Sequence, residues 1–166
     1  MTNPEGWQGD SGQHVRYLTD DQLEKFFRAI DANSDHALRV RDTCLFPLML
    51  SYGLRCEEVH LLNVHHDIDL ASDPPRIWIT RVKEKHWRTD AKTGEKVYIK
   101  KPRRGDWYPL TQRNVDRLMA WLKIRKRFTN DNYGPFFVTI QGRPISANFI
   151  YHITQRYAEK AGIEGM

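Results

Sequence analysis

The chain has 166 residues, enough for one domain with a substantial core. Its 40% apolar and 28% charged residues are ordinary for a soluble globular protein, and charges interrupt every apolar run short of membrane-spanning length. The opening MTNPEGWQGDSGQHV lacks the basic and apolar regions of a signal peptide, and Cys44 and Cys56 have no CxxC spacing, so both read as reduced thiols in a cytoplasmic protein without a membrane anchor.

Residues 1–17, rich in Gly, Asn, Asp and Gln, are expected to be a flexible segment ahead of a domain over 18–166. Thr19 to Gln22 has the pattern of a capping box, opening a helix with Leu23, Phe26, Phe27 and Ile30 inward. Ala32 to His36 is a polar break, and a second, strongly apolar helix follows from Val40. Pro47 inside it removes one backbone hydrogen bond and is expected to kink it. Gly53 stands where a left-handed residue closes a helix. Arg55 then opens a third helix, three residues before Glu58 and on the same face. A helix-start arginine beside a carboxylate is either a structural pair or a fixed fork suited to a phosphate.

Val64 to Leu70 leads toward a sheet, and Asp73-Pro74-Pro75 breaks the chain. Ile77, Ile79 and Val82 alternate as in a half-buried strand running on toward Trp87. Glycine-containing turns at 90–95 and 102–106 then divide off strands at Lys96–Lys100 and Trp107–Leu110, predicting a three-stranded antiparallel meander with long basic hairpins. Thr111 caps a helix to about Phe128 with Val115, Leu118, Met119 and Leu122 as its buried stripe. The cations of its last turn, Lys123 to Arg127, suit the helix dipole and need no other role. Phe136 to Ile140 is a short strand or core plug, and Ser146 caps a last helix with Phe149, Ile150, Ile153 and Tyr157 inward, ending at Gly162. The fold class predicted is α+β, mostly helical with a small three-stranded sheet.

The net charge of +5 is unevenly spread. Between Arg76 and Arg104 eleven Lys or Arg stand against three acids (Glu84, Asp90 and Glu95), an excess of eight that leaves the rest of the chain at −3. One basic face suggests a polyanionic partner, although lysines guarding a solvated sheet edge produce the same signature. His60, His65 and His66 have no cysteine or carboxylate set at ligand spacing, so they read as surface histidines and no metal is expected.

Three stretches in order resemble the tyrosine recombinase (phage integrase) family. The first is its active-site box: Arg41-Asp42 opens the apolar helix, Gly53-Leu54-Arg55 ends it, and Glu58 follows. The second is Lys100 to Leu110, in which Lys101 falls at the family's lysine between two strands, ahead of Pro109-Leu110. The third is Gly142-Arg143-Pro144-Ile145-Ser146, a helix, and Ala161-Gly162-Ile163. Pro47 departs from the plain aliphatics usual there.

The resemblance implies a chemistry without metal or other cofactor. A tyrosine attacks a DNA phosphodiester, conserving the bond as a phosphotyrosyl link. Arg55 would hold the charge gathering on the non-bridging oxygens, Glu58 would orient it, and Lys101 would protonate the departing 5′ oxygen. Lys83, Lys85, Arg88, Lys100, Arg103 and Arg104 are the expected backbone-phosphate contacts. The family's His-x-x-Arg motif and nucleophilic tyrosine would follow Ile163, so 18–166 is expected to be a partial, integrase-like catalytic domain, incomplete at its C-terminal end and unable to cut DNA alone. Tyr108, Tyr151 and Tyr157 precede that motif and are expected in the core. The implied partners are double-stranded DNA and other recombinase protomers, four on DNA in the intact family, encoded by a phage or other mobile element. A non-catalytic DNA-binding module on the same fold and a basic interaction domain are the competing readings.

Overall fold

The computed structural model describes residues 18–81, 87–89, 96–98, 104–130, 132 and 134–163, with backbone alone at 87–89, 96–98 and 104. The expectations for residues 1–17, Val82, the turn at 90–95, and Lys83, Lys85, Lys100, Lys101 and Arg103 lie outside the described residues.

Helix α1 (Asp20–Asp31) begins at the expected box: Thr19 Oγ1 accepts the Gln22 N–H at 3.2 Å, and Gln22 Oε1 accepts the Thr19 N–H at 2.9 Å. Helix α2 spans His36–Tyr52, four residues earlier than expected, because the Asp35 carboxylate caps it by accepting the Leu38 N–H at 3.0 Å. Its middle, Cys44 to Leu48, is buried on every face, Pro47 included, which makes α2 the central helix of the domain. Gly53 closes it at φ 59° and ψ 41°, and the Leu54 N–H returns to the Met49 carbonyl at 2.9 Å. The five-residue helix α3 (Cys56–His60) follows.

The sheet departs from the predicted meander. β2 (Arg76–Arg81) pairs antiparallel with β5 (Arg104–Pro109), and its other edge carries β1 (Ile68–Asp69). β3 (Trp87–Thr89) and β4 (Lys96–Tyr98) form a separate two-stranded ladder. From Arg76↔Pro109 to Thr89↔Lys96 the partner's number falls by one for each rise of one. Lys96–Tyr98 and Arg104–Pro109 thus keep one common register against Trp87–Thr89 and Arg76–Arg81. The third strand of the sheet is β1, from the run after α3. Alternation along β2 turns Ile77 and Ile79 into the core, while Trp78 faces Trp107 across the ladder with ring centroids 5.6 Å apart.

Helix α4 (Gln112–Arg125) starts at Thr111, whose hydroxyl accepts the Asn114 N–H, and packs on α2. Its buried stripe is Val115, Leu118, Trp121 and Ile124; Met119, expected inside, is 56% exposed, because inward positions repeat every three residues here and Met119 falls one position off. Trp121 anchors the next segment by donating to the Phe136 carbonyl at 2.9 Å, and Phe136, Phe137 and Val138 fill the core as a plug without strand pairing beyond one bridge. Helix α5 (Ala147–Lys160), capped by Ser146, lies against α1 and α3 with Ile150, Ile153 and Tyr157 inward. Tyr151 is 51% exposed, contrary to its expected core role, since it lies on the outer side of α5; Tyr108 is half-buried. Among the described residues, no helix is long and apolar enough to cross a membrane.

Candidate phosphate-binding site

Arg55 owes its position to the local chain. Gly53 in the left-handed region ends α2, Leu54 is buried as an anchor, and Arg55 lands extended (φ −81°, ψ 156°) as the residue before α3. Its side chain is exposed, and among the described residues no carboxylate pairs with its guanidinium. Glu58, 3% exposed, lies beneath it. The expected pairing takes a different form: Glu58 Oε2 accepts the backbone N–H of Arg55 at 3.0 Å, holding the peptide rather than the guanidinium.

The same carboxylate oxygen meets Arg81 Nη1 at 3.2 Å. Arg81 Nη2 donates to the Tyr52 carbonyl at 3.3 Å, an acceptor left over at the end of α2, and to the Tyr108 hydroxyl at 3.4 Å. Its guanidinium stands over the Tyr108 ring, 5.3 Å from the centroid. The hydrogen bond with Tyr108, together with the Glu58 charge, raises the Arg81 pKa above its ordinary value, so the cation is permanent. Tyr52 adds a second tie, its hydroxyl donating to the Pro109 carbonyl at 2.9 Å. One guanidinium thus joins the end of α2, the start of α3 and both arms of the hairpin.

Arg81 is absent from the sequence reading. The signal for it is the strand period: Arg81 shares the face of the buried Ile77 and Ile79, so a cation there must find partners inside. Of the other expected site residues, Arg88 lies in β3 and Arg104 in β5, where its backbone pairs with Arg81; Lys83, Lys85, Lys100, Lys101 and Arg103 are outside the described residues. The structure brings Arg55 and Glu58 together, and both to the base of the hairpin that carries the basic run. The Glu58 contact fixes the backbone of Arg55 and leaves its guanidinium facing outward, with donors free for an anion.

Burial raises the thiol pKa of Cys56 and, more strongly, of Cys44. His60 Nδ1 lies 2.6 Å from the Ile145 carbonyl, tying α3 to the segment before α5, and the His65 and His66 rings are 5.2 Å apart in a turn held by Asn63.

Residues 16–166 match the phage integrase family. The tyrosine recombinase XerC of Psychromonas ingrahamii is 27% identical over 143 residues, covering 86% of this chain and 40% of that protein. The type 1 fimbriae regulatory protein FimB of Escherichia coli K12 is 26% identical over 147 residues, covering 89% of this chain and 62% of FimB. The chain therefore spans between two fifths and three fifths of the length of these relatives. The crystal structure of XerA recombinase superposes with a TM-score of 0.64 at 18% identity, over 92% of this chain and 46% of that one. The XerH site-specific recombinase in a pre-cleavage complex with its difH substrate gives 0.59 at 19% identity, over 95% and 43%.

Proposed function

The chain belongs to the phage integrase family, and on that premise we propose that it is the DNA-binding front part of the catalytic domain of a site-specific tyrosine recombinase, with Arg55 as its phosphate-binding residue. The observation that carries this reading is the exposed Arg55 guanidinium on a backbone clamped by the buried Glu58. A phosphodiester oxygen gathering charge during strand cleavage needs hydrogen-bond donors close by, and an outward guanidinium anchored through its backbone supports that role. Lys101, three residues ahead of β5 in the sequence, would serve as the acid that protonates the departing 5′ oxygen. Lys83, Lys85, Arg88, Lys100, Arg103 and Arg104 would add contacts to the phosphate backbone, which position a duplex without reading its sequence. The intact protein would break and rejoin DNA, a reading supported by the recombinase names of its relatives, and would do so with other protomers, as the family resemblance implies.

Binding of the 166-residue chain to a fluorescent duplex, followed by anisotropy, tests the reading. Affinity is expected to fall steeply with salt, by on the order of 10³ between about 50 and 200 mM for about six phosphate contacts, with little dependence on sequence. Arg55→Ala is expected to reduce the salt slope by about one contact. A flat salt response removes DNA as the partner; a steep response unchanged by Arg55→Ala leaves a DNA-binding module in which Arg55 has no part.

A further inference from the structure

The Arg41-Asp42 pair has no role in the chemistry above. It lies toward the opposite end of α2 from Arg55, about 20 Å away along the helix axis. Arg41 is 2% exposed, and its Nε donates to Asp42 Oδ1 at 2.7 Å. The Tyr157 hydroxyl donates to Asp42 Oδ2 at 2.8 Å and accepts from Asn33 Nδ2 at 2.9 Å. Both oxygens of Asp42 are thereby occupied, and the carboxylate engages only the Nε edge of the guanidinium.

Nη1 and Nη2 of Arg41 have no protein partner among the described residues. Yet no buried side-chain nitrogen or oxygen there lacks a partner, so these two atoms reach solvent. Arg41 lines a cavity of about 200 Å³ between the start of α2, α5 and the loop at 139–141. Its walls are mainly apolar, with Ile140, Phe149 and Ile153 prominent, and the Arg41 guanidinium stands 5.2 Å from the Phe149 ring centroid. Arg156 supplies a second cation to the lining.

We infer that this cavity is a binding site for a small monocarboxylate with a compact apolar body, held by the terminal nitrogens of Arg41. A guanidinium that offers Nη1 and Nη2 side by side matches the two oxygens of one carboxylate. The volume lies below the roughly 300–1,000 Å³ usual for ligand pockets, which limits the occupant to a few carbons beyond its acid group. Charge selects against phosphate: Asp42 neutralises Arg41, so only Arg156 is left in excess, and a dianion would meet the fixed Asp42 carboxylate. The apolar walls favour benzoate-like or branched aliphatic acids over hydrated ones such as citrate.

Calorimetric titration of the 166-residue chain at constant ionic strength, with benzoate, its neutral isostere benzamide, and inorganic phosphate, tests the site. Benzoate is expected to bind at one site, at least about tenfold more tightly than benzamide, without competition from phosphate. Arg41→Gln is expected to remove that tenfold preference. Should this buried substitution prevent folding, Ile140→Trp carries the test, because Ile140 is 51% exposed at the cavity rim and a larger side chain there closes the mouth without entering the core. Equal affinity for benzoate and benzamide, displacement of benzoate by phosphate, unchanged benzoate binding in Ile140→Trp, or no saturation up to about 10 mM benzoate would each overturn the inference.

Discussion

The Glu58 carboxylate receives the backbone N–H of Arg55 and the Nη1 of Arg81 on the same oxygen, at 3.0 and 3.2 Å. Placement of the exposed arginine thus depends on a second arginine twenty-six residues later, at the end of β2. Glu58→Gln retains an acceptor for the Arg55 N–H but removes the charge facing Arg81; Glu58→Ala removes both. With the Arg81 side chain 35% exposed and partly solvated, the alanine variant is expected to lose about 2 kcal/mol and the glutamine variant about 1 kcal/mol in urea denaturation. DNA affinity should fall in the same order. Equal losses for the two would mean that the Arg55 N–H contact contributes nothing.

Gly53 and Gly105 make unequal predictions for the same substitution. A Cβ on Gly53 would meet nothing within 4 Å, so Gly53→Ala costs only the strain of φ 59°, about 1–2 kcal/mol, and Gly53→Asn less, because asparagine tolerates that region. Thermal melts of the two variants check the order.

A Cβ on Gly105 would strike the Ile79 carbonyl of the neighbouring strand and the Trp78 indole at 2.8 Å. Backbone cannot yield as a side-chain tip can, so Gly105→Ala is expected to force β5 from β2 and cost about 3 kcal/mol, more than Gly53→Ala. Because β5 also carries Trp107, which faces Trp78 across the ladder, tryptophan fluorescence should report the shift alongside the drop in melting temperature. A smaller loss than in Gly53→Ala would contradict the close approach.

Tyr157→Phe removes the donor to the buried Asp42 and the acceptor for Asn33, at an expected cost of about 1–2 kcal/mol. Burial, then the nearby Asp42 charge, raises the phenol pKa well above its ordinary value of about 10. A group whose folded pKa is raised contributes its stability in full below the unfolded pKa and loses it as pH climbs toward the folded one. Stability should therefore decline from about pH 10 upward, and less so in Tyr157→Phe. Ultraviolet titration should find a phenol that ionises above the ordinary tyrosine range in the native chain and is absent from Tyr157→Phe.

Helix ends could be read one by one because each is a short-range contact. Thr19, Thr111 and Ser146 cap through hydroxyls three residues from the N–H they accept, and Gly53 stands one residue past its helix. Asp35 obeys the same rule and was hidden only by a polar neighbourhood that looked like a break. The Arg55–Glu58 proximity follows from helical spacing, whereas the atom that Glu58 grips does not, since backbone and guanidinium of Arg55 are both within reach.

Strand pairing was less accessible. Alternation identified Ile77 and Ile79 as inward, but a period of two does not say which strand lies beside another, here Arg76–Arg81 between Ile68–Asp69 and Arg104–Pro109, and Lys96–Tyr98 beside Trp87–Thr89. Buried charges were concealed for a related reason. Arg41 and Asp42 are polar in composition and become interior only when α5 closes over them, and Arg81, still about a third exposed, finds Glu58 and Tyr108 only when α3 and β5 meet β2. Residues a few positions apart along the backbone carry enough information to cap a helix, turn a chain and mark a family's motif. Which cation shares a carboxylate with a helix start, and which is left with open donors in a cavity, depends on partners up to 115 residues away that only the folded packing brings together.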